Sequence, residues 1–276
     1  MPFHKWHRLL PKGANDCRIH IMAHIPLFAF LTLFLTAVSA LAENVTYMDN
    51  KTLLTGYLAK VDSAAARPPG VLILPAWKGV DEHSKNSADK LAKLGYQALA
   101  ADIYGTGGKT LSMEEAVRLS SHYKTHYEEY QKRIRLGLDE LIRSGADPKR
   151  IAVIGYCFGG TGALEAARGN LPVLGVVSFH GGLAKDASRI NGAIRPKVLV
   201  LHGADDPHVS PESITALIEE MREAKADWQM IWYADAVHSF TDPGAGSDKS
   251  KGAAYNEAAA RRSWNHMKLF LQEIFE

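Results

Sequence analysis

Short, continuously apolar runs alternate along this chain with longer stretches in which apolar residues recur at every third or fourth position. The runs are typical of strands buried in a sheet, and the longer stretches are typical of amphipathic helices. We predict strands at residues 45–48, 53–59, 70–75, 96–103, 151–156, 173–179, 197–202 and 228–233. Helices are predicted from about residue 82, from about residue 112, in a longer stretch that ends near residue 145, directly after residue 157, and over residues 211–223 and 253–274. This alternation predicts one α/β domain, with a mostly parallel sheet and helices on both of its faces.

The strand predicted at residues 151–156 leads into a motif that carries chemistry. The motif reads Gly155-Tyr156-Cys157-Phe158-Gly159-Gly160, and small residues suited to a helix follow it. Flanking glycines let the backbone turn sharply, so that a strand, a tight turn and a helix lift one side chain into a cleft. We therefore interpret Cys157 as the nucleophile of such an elbow, with a thiol where serine is more common. The alternative is a buried cysteine in a glycine-rich turn.

The first 42 residues differ from the rest of the chain. A basic region precedes an almost wholly apolar stretch from residue 21, which ends in Ala40-Leu41-Ala42. This pattern predicts a secretory signal peptide over residues 1–42 and an exported α/β domain over residues 43–276, periplasmic or secreted, with no stable membrane anchor after cleavage. The alternative is an uncleaved anchor, because the apolar stretch is nearly long enough to span a bilayer. Met22 is an alternative translation start.

Composition narrows the classes of partner. The formal net charge is +2 and the basic residues are scattered, which argues against a nucleic-acid partner. Of the two cysteines, Cys17 lies in the predicted leader, so an exported chain would retain Cys157 alone. Unpaired cysteines are unusual in oxidising compartments, and this context favours a reactive role for Cys157.

A cysteine nucleophile needs a base that takes its proton and an acid that orients the base. The base candidate is His238, just beyond the last predicted strand. The acid candidates are Asp205 and Asp206, just beyond the strand at residues 197–202, and their residue type does not separate them. The alternative is that both aspartates have only a structural role in the turn before the next helix. The order of nucleophile, acid and histidine is that of the α/β-hydrolase fold, in which all three lie at one edge of the sheet.

An acyl-transfer site also needs N–H groups that stabilise the oxyanion. The expected donors are the amide of Phe158, directly after the nucleophile, and that of Trp77, in the loop after the strand at residues 70–75. Three further histidines lie near strand ends on the same rim, where they either line the pocket or serve structure: His180, His202 and His208.

At these residues the chain resembles the dienelactone hydrolase family. The similar segments are residues 94–105, the motif around Cys157, Gly203-x-x-Asp206 with Val209, His238-Ser239-Phe240, and residues 253–256 with Trp264. The resemblance implies an α/β-hydrolase fold without a large cap domain and a triad of Cys157, His238 and Asp206, so it selects the second aspartate. It also implies hydrolysis of a small-molecule ester or lactone through an acyl-cysteine intermediate. The alternative is a non-catalytic ligand-binding or scaffold protein on the same fold.

The chain departs from the pattern of that family in two respects. Its members carry a glutamate directly before the oxyanion-hole residue, where this chain has Ala76. They also carry an arginine shortly after the His-Ser-Phe motif, where this chain has Thr241 and Asp242. Because that arginine holds the carboxylate of dienelactone, a general ester or lactone is the expected substrate here.

No cofactor or metal site is predicted. Residues 108–110 resemble the end of a phosphate-binding loop, but that motif needs a glycine where Ile103 stands. His122 and His126 have the spacing of a zinc pair on one helix face. The residue after His122 is Tyr123 rather than the glutamate of a metalloprotease, so this motif is incomplete as well.

Overall fold

A computed structural model describes residues 41–61, 67–109 and 111–276. The predicted leader lies outside the described residues except for Leu41 and Ala42, which begin the first strand. Eight strands of the described chain form one sheet: β1 (Leu41–Asp49), β2 (Thr52–Lys60), β3 (Gly70–Leu74), β4 (Gln97–Ala100), β5 (Ile151–Tyr156), β6 (Gly175–Phe179), β7 (Lys197–Gly203) and β8 (Trp228–Tyr233).

The sheet is parallel from β4 to β8, and only β1 and β2 run antiparallel to their neighbours. Its strand order is β1-β2-β4-β3-β5-β6-β7-β8, which places β5 near the middle between β3 and β6. Strands β3 to β6 are buried along their whole length. This burial is expected for parallel strands covered by helices on both faces.

Helices cover both faces of the sheet. They are α1 (Glu82–Lys93), α2 (Met113–Thr125), α3 (Tyr127–Arg143), α4 (Phe158–Arg168), α5 (Pro211–Glu223) and α6 (Glu257–Phe275). Apolar residues of α1 and α6 pack on one face, and those of α2, α3, α4 and α5 pack on the other. The chain between β6 and β7 contains no helix, so no cap domain is inserted there. The predicted α/β-hydrolase fold without a large cap is confirmed. Among the described residues, no helix combines the length and apolar character needed to cross a bilayer.

Beyond shifts of one or two residues at element ends, three predicted boundaries are wrong. Strand β1 begins at Leu41 rather than at residue 45 and pairs with β2 from its first residue. Side-chain hydrogen bonds explain the other two. The strand predicted at residues 96–103 ends at Ala100, because the carboxylate of Asp102 accepts the N–H groups of Tyr104 and Gly105 and turns the chain. The helix predicted from residue 253 begins only at Glu257. The side chain of Asn256 caps it by accepting the N–H of Ala259.

Candidate active site

A single residue, Cys157, joins β5 to α4. Its backbone has φ 54° and ψ −114°, a conformation that costs a residue with a side chain about 1–3 kcal/mol. A Cβ atom on Gly155 would lie 1.9 Å from the carbonyl oxygen of Gly159, and one on Gly159 would lie 2.0 Å from that of Leu74. The turn is therefore possible only because both positions are glycine, which is the physical basis of the sequence motif.

Three predicted residues meet at the carboxyl ends of the strands. The Sγ atom of Cys157 lies 2.9 Å from Nε2 of His238, and Nδ1 of His238 lies 2.8 Å from Oδ2 of Asp206. The side chain of Asp206 is fully buried and that of His238 is 13% exposed. Asp205, which residue type could not separate from Asp206, is exposed to solvent. The structure thus brings the second aspartate to the histidine.

The two loops that carry His238 and Asp206 are held by the backbone. The N–H of His238 donates to the carbonyl of Gly252, and the carbonyl of His238 accepts from the N–H of Ala254. The second carboxylate oxygen of Asp206 accepts the N–H of His208. These bonds hold the backbone at His238 and the carboxylate of Asp206, while the Nδ1 and Nε2 bonds of the imidazole hold the ring between carboxylate and thiol.

Electrostatics favour the ionised forms of all three side chains. Burial alone would raise the pKa of Cys157, but the hydrogen bond and charge of His238 outweigh burial and lower that pKa. Burial alone would lower the pKa of His238, but its hydrogen bonds to Asp206 and Cys157 raise it to about 10. Burial is likewise outweighed at Asp206, whose pKa is lowered mainly by His238. The arrangement therefore favours a thiolate beside an imidazolium at neutral pH.

The two expected oxyanion donors lie on either side of one tyrosine. Phe158 is the first residue of α4, where its N–H has no partner within the helix. Trp77 lies in the loop after β3 and is half-buried. The ring of Tyr104 stacks on that of Phe158, with ring centroids 5.4 Å apart. The hydroxyl of Tyr104 donates a hydrogen bond to the carbonyl of Trp77 at 3.0 Å. Tyr104 was not identified from the sequence, where it belonged only to a segment similar to the family.

The three rim histidines have different surroundings. The rings of His180 and His208 lie edge-on to that of His238, with centroids 5.4 and 5.0 Å away. His180 is buried and hydrogen-bonded to the N–H of Cys157 at 3.1 Å. His202 packs against Trp232, and its Nδ1 atom has no hydrogen-bond partner among the described residues. Sequence position alone could not distinguish these surroundings.

The two residues in place of the family's arginine do not face the thiol. Thr241 accepts a hydrogen bond from His180, and a carboxylate oxygen of Asp242 accepts the N–H of Gly244. Both residues line a cavity of about 650 Å³ between α1 and α6, whose lining includes none of Cys157, Asp206 and His238. The carboxylate of Asp242 is therefore directed to its own loop.

The incomplete zinc motif has an ordinary structural role. His122 bonds to the carboxylate of Glu129 at 2.8 Å and stacks on His126. Within the described residues, no group of three or more histidine, cysteine, aspartate or glutamate side chains is arranged to hold a metal ion.

Comparison with known proteins extends this description. The model of the dienelactone hydrolase family matches residues 54–275 of the chain. A Salmonella typhimurium protein provisionally assigned as a carboxymethylenebutenolidase is 26% identical over 250 residues, which cover 86% of this chain and 89% of the relative. A Bradyrhizobium protein provisionally assigned as a 2-oxo-3-(5-oxofuran-2-ylidene)propanoate lactonase is 25% identical over 232 residues, which cover 78% of this chain and 88% of the relative.

A solved structure gives a further comparison. It belongs to a dienelactone hydrolase-like promiscuous phosphotriesterase from metagenomic libraries, which is 38% identical to this chain with a TM-score of 0.81. The match covers 86% of this chain and 100% of the phosphotriesterase chain. The similarity therefore extends over most of the chain.

The lowered pKa of Cys157 predicts a reactive thiolate before any substrate binds. As pH falls, the thiolate of a free cysteine is lost near pH 8.5, whereas that of Cys157 should persist to lower pH because the protonated His238 stabilises it. We expect iodoacetamide to alkylate the wild-type protein rapidly at pH 7. The measurement is the alkylation rate as a function of pH.

The residue at position 76 provides a matched pair of variants for this prediction. The resemblance to the family implies that a glutamate at this position interacts with the resting thiol. Its carboxylate would disfavour the thiolate, so Ala76→Glu should shift the alkylation profile to higher pH. Ala76→Gln adds the same bulk without the charge and should leave the profile unchanged. A wild-type profile that follows an ordinary thiol, or identical profiles for Ala76→Glu and Ala76→Gln, would contradict the account.

Proposed function

The chain belongs to the dienelactone hydrolase family of hydrolases, and we propose that it cleaves carboxylic esters or lactones through an acyl-cysteine intermediate. The observation that carries this proposal is the hydrogen-bonded chain from the thiol of Cys157 through His238 to Asp206. An activated nucleophile, a base and an orienting acid are the groups that covalent hydrolysis needs. The names of the carboxymethylenebutenolidase and lactonase relatives support the same chemistry.

In the first half of the proposed reaction, the Sγ atom of Cys157 attacks the carbonyl carbon of the substrate. The carbonyl π electrons move to oxygen and form a tetrahedral oxyanion. Its collapse breaks the bond to the alkoxy group, and the imidazolium of His238 donates its proton to the departing oxygen. An ester then releases an alcohol, whereas a lactone keeps the new hydroxyl on the acyl chain. Both leave a thioester on Cys157.

In the second half, water hydrolyses the thioester. The neutral imidazole of His238 takes one proton from the water as its oxygen bonds to the acyl carbon. The second tetrahedral intermediate expels the thiolate of Cys157, and the carboxylic acid leaves. The carboxylate of Asp206 holds the ring in the tautomer that presents Nε2 to the reacting atoms and stabilises the imidazolium.

The oxyanion is proposed to be stabilised by the amides of Phe158 and Trp77. Phe158 is held by stacking on Tyr130 with centroids 4.6 Å apart, and its carbonyl accepts the hydroxyl of Tyr130. Tyr104 connects Phe158 to the carbonyl of Trp77. Donors held before the reaction cost no reorganisation, and each one contributes roughly 3 kcal/mol to transition-state stabilisation.

Triad variants test the acyl-cysteine proposal on a short p-nitrophenyl ester. Cys157→Ala removes the nucleophile and should lower kcat roughly 1,000-fold or more. Asp206→Asn leaves the imidazole without its charged partner and should lower kcat about 100-fold or more. The neighbouring Asp205→Asn is the matched control, expected within about twofold of wild type because Asp205 is exposed. Turnover by Cys157→Ala at the wild-type rate would refute the proposal.

Phosphotriester hydrolysis is a second candidate activity. The observation that favours it is the 38% identity to a promiscuous phosphotriesterase over 86% of this chain. Attack of the Cys157 thiolate on phosphorus would release an aryloxide and form an S-phosphoryl cysteine, which water would then hydrolyse. We predict slow release of p-nitrophenol from paraoxon, dependent on Cys157. Release at equal rates by wild type and Cys157→Ala, after subtraction of the buffer rate, would exclude this activity.

The proposed site of action lies outside the cytoplasm. The basic and apolar leader over residues 1–42 supports export, to the periplasm or the medium. We predict that the chain purified from a secreting host begins at Glu43, directly after the Ala40-Leu41-Ala42 sequence. Intact mass spectrometry reads this N-terminus directly. A full-length chain retained in the membrane fraction would instead support an uncleaved anchor.

A further inference from the structure

A buried histidine outside the predicted triad lies directly behind the nucleophile. His180 follows the last residue of β6 and is 2% exposed. Its Nδ1 atom accepts the backbone N–H of Cys157 at 3.1 Å, and its Nε2 atom lies 2.7 Å from the hydroxyl oxygen of Thr241. An amide nitrogen can only donate, so the proton of the neutral ring is on Nε2 and is donated to Thr241. These two bonds define one tautomer.

The N–H of Cys157 has two acceptors at the end of β6. The carbonyl oxygen of Phe179 accepts it at 3.0 Å, which continues the ladder between β5 and β6, and His180 accepts it from a second direction. Cys157 is the residue with the positive φ angle that joins strand to helix. The histidine therefore holds the peptide group whose orientation determines where the thiol points.

The surroundings of His180 keep its ring neutral. The titratable side chains around it are three histidines, His83, His202 and His238, and Tyr156, whose ring centroid lies 6.1 Å away. Burial, followed by the charge of His238, holds the pKa of His180 well below its ordinary value. Protonation of Nδ1 would bring its N–H group face to face with the N–H of Cys157 and break this hydrogen bond. It would also place a second positive charge beside His238.

We propose that His180 is a positioning residue, which orients the Cys157 peptide so that the thiol faces His238. The inference rests on the proposed function, because it assigns a partner to the same nucleophile. His180 is held in turn by Thr241, whose carbonyl oxygen accepts a hydrogen bond from His83 at the start of α1. The loop after His238 thus contributes to the orientation of the nucleophile as well as to that of the base.

Substitutions at His180 test this role with two measurements, ester turnover and the pH profile of iodoacetamide alkylation. His180→Ala removes the acceptor, so kcat should fall about tenfold or more while KM stays within about twofold, because the thiol is misdirected and substrate contacts are kept. The alkylation midpoint should move to higher pH, because the thiolate loses its alignment with His238. His180→Asn should recover most of both losses, since its Oδ1 atom can accept the same N–H.

Substitutions at Thr241 test the second bond with less disturbance of the core. Thr241→Val keeps the shape of the side chain but leaves the Nε2–H of His180 without its acceptor. It should move the alkylation midpoint in the same direction as His180→Ala, and Thr241→Ser should not. Because both residues act through one chain of bonds, adding Thr241→Val to His180→Ala should change kcat by less than about twofold.

A matched control separates positioning from general loss of a buried histidine. His202 is equally buried but does not bond to Cys157. His202→Asn should lower the thermal unfolding temperature without shifting the alkylation midpoint. Wild-type kcat and an unshifted midpoint in both His180→Ala and Thr241→Val would overturn the inference. So would an equal midpoint shift in His202→Asn.

Failure of this inference can be distinguished from failure of the proposed function. Full turnover by Cys157→Ala would refute the acyl-cysteine proposal whatever the His180 variants do. Turnover that depends on Cys157 but is insensitive to His180→Ala would refute the positioning role alone. Alkylation needs no substrate, so it reports the ionisation and reactivity of the thiol whatever the natural substrate is.

Discussion

The close approach of α4 to β3 and β5 is the constraint on which the rest of the site depends. Only one residue, Cys157, separates the end of β5 from the start of α4. The backbones of β5, α4 and β3 come so close here that only glycine fits at positions 155 and 159. This proximity forces Cys157 into its positive φ angle and directs the thiol out of the sheet. It also places the thiol at the N-terminus of α4, where the helix dipole favours an anion.

The other groups reach the thiol because a parallel sheet collects its loops at one edge. Asp206 follows β7 and His238 follows β8, and both are fixed by bonds within their own loops or to the segment before α6. The buried carboxylate, the imidazole and the thiol then stabilise one another's charged forms against the cost of burial. The result is a thiol whose pKa is lowered and which is aligned with the imidazole.

Local patterns were sufficient to predict the fold and the elbow from the sequence. Apolar runs and periodic stretches predicted the strands and helices, and the glycines around Cys157 predicted the turn. The ends of β4 and α6 were missed because they depend on where the side chains of Asp102 and Asn256 find backbone partners. Both bonds span only two or three residues, so capping and turn preferences could have indicated them, whereas the apolar pattern alone extends past them.

The site could be predicted only as far as chain order allowed. Chain order left Asp205 and Asp206 both open, and only the family resemblance selected Asp206. In the structure Asp206 is buried and bonded to His238, whereas Asp205 is exposed. His180 and Tyr104 bond to residues that are distant along the chain, Cys157 and Trp77 respectively. A single sequence contains no signal for such contacts.

The measurement that most directly tests the account is the mass of the protein quenched in acid during its first turnover of a p-nitrophenyl ester. A covalent mechanism predicts a mass increase equal to one acyl group, located on the peptide that contains Cys157 and absent from Cys157→Ala. Rapid release of p-nitrophenol with no adduct, or an adduct on another residue, would contradict the central claim that Cys157 is the nucleophile.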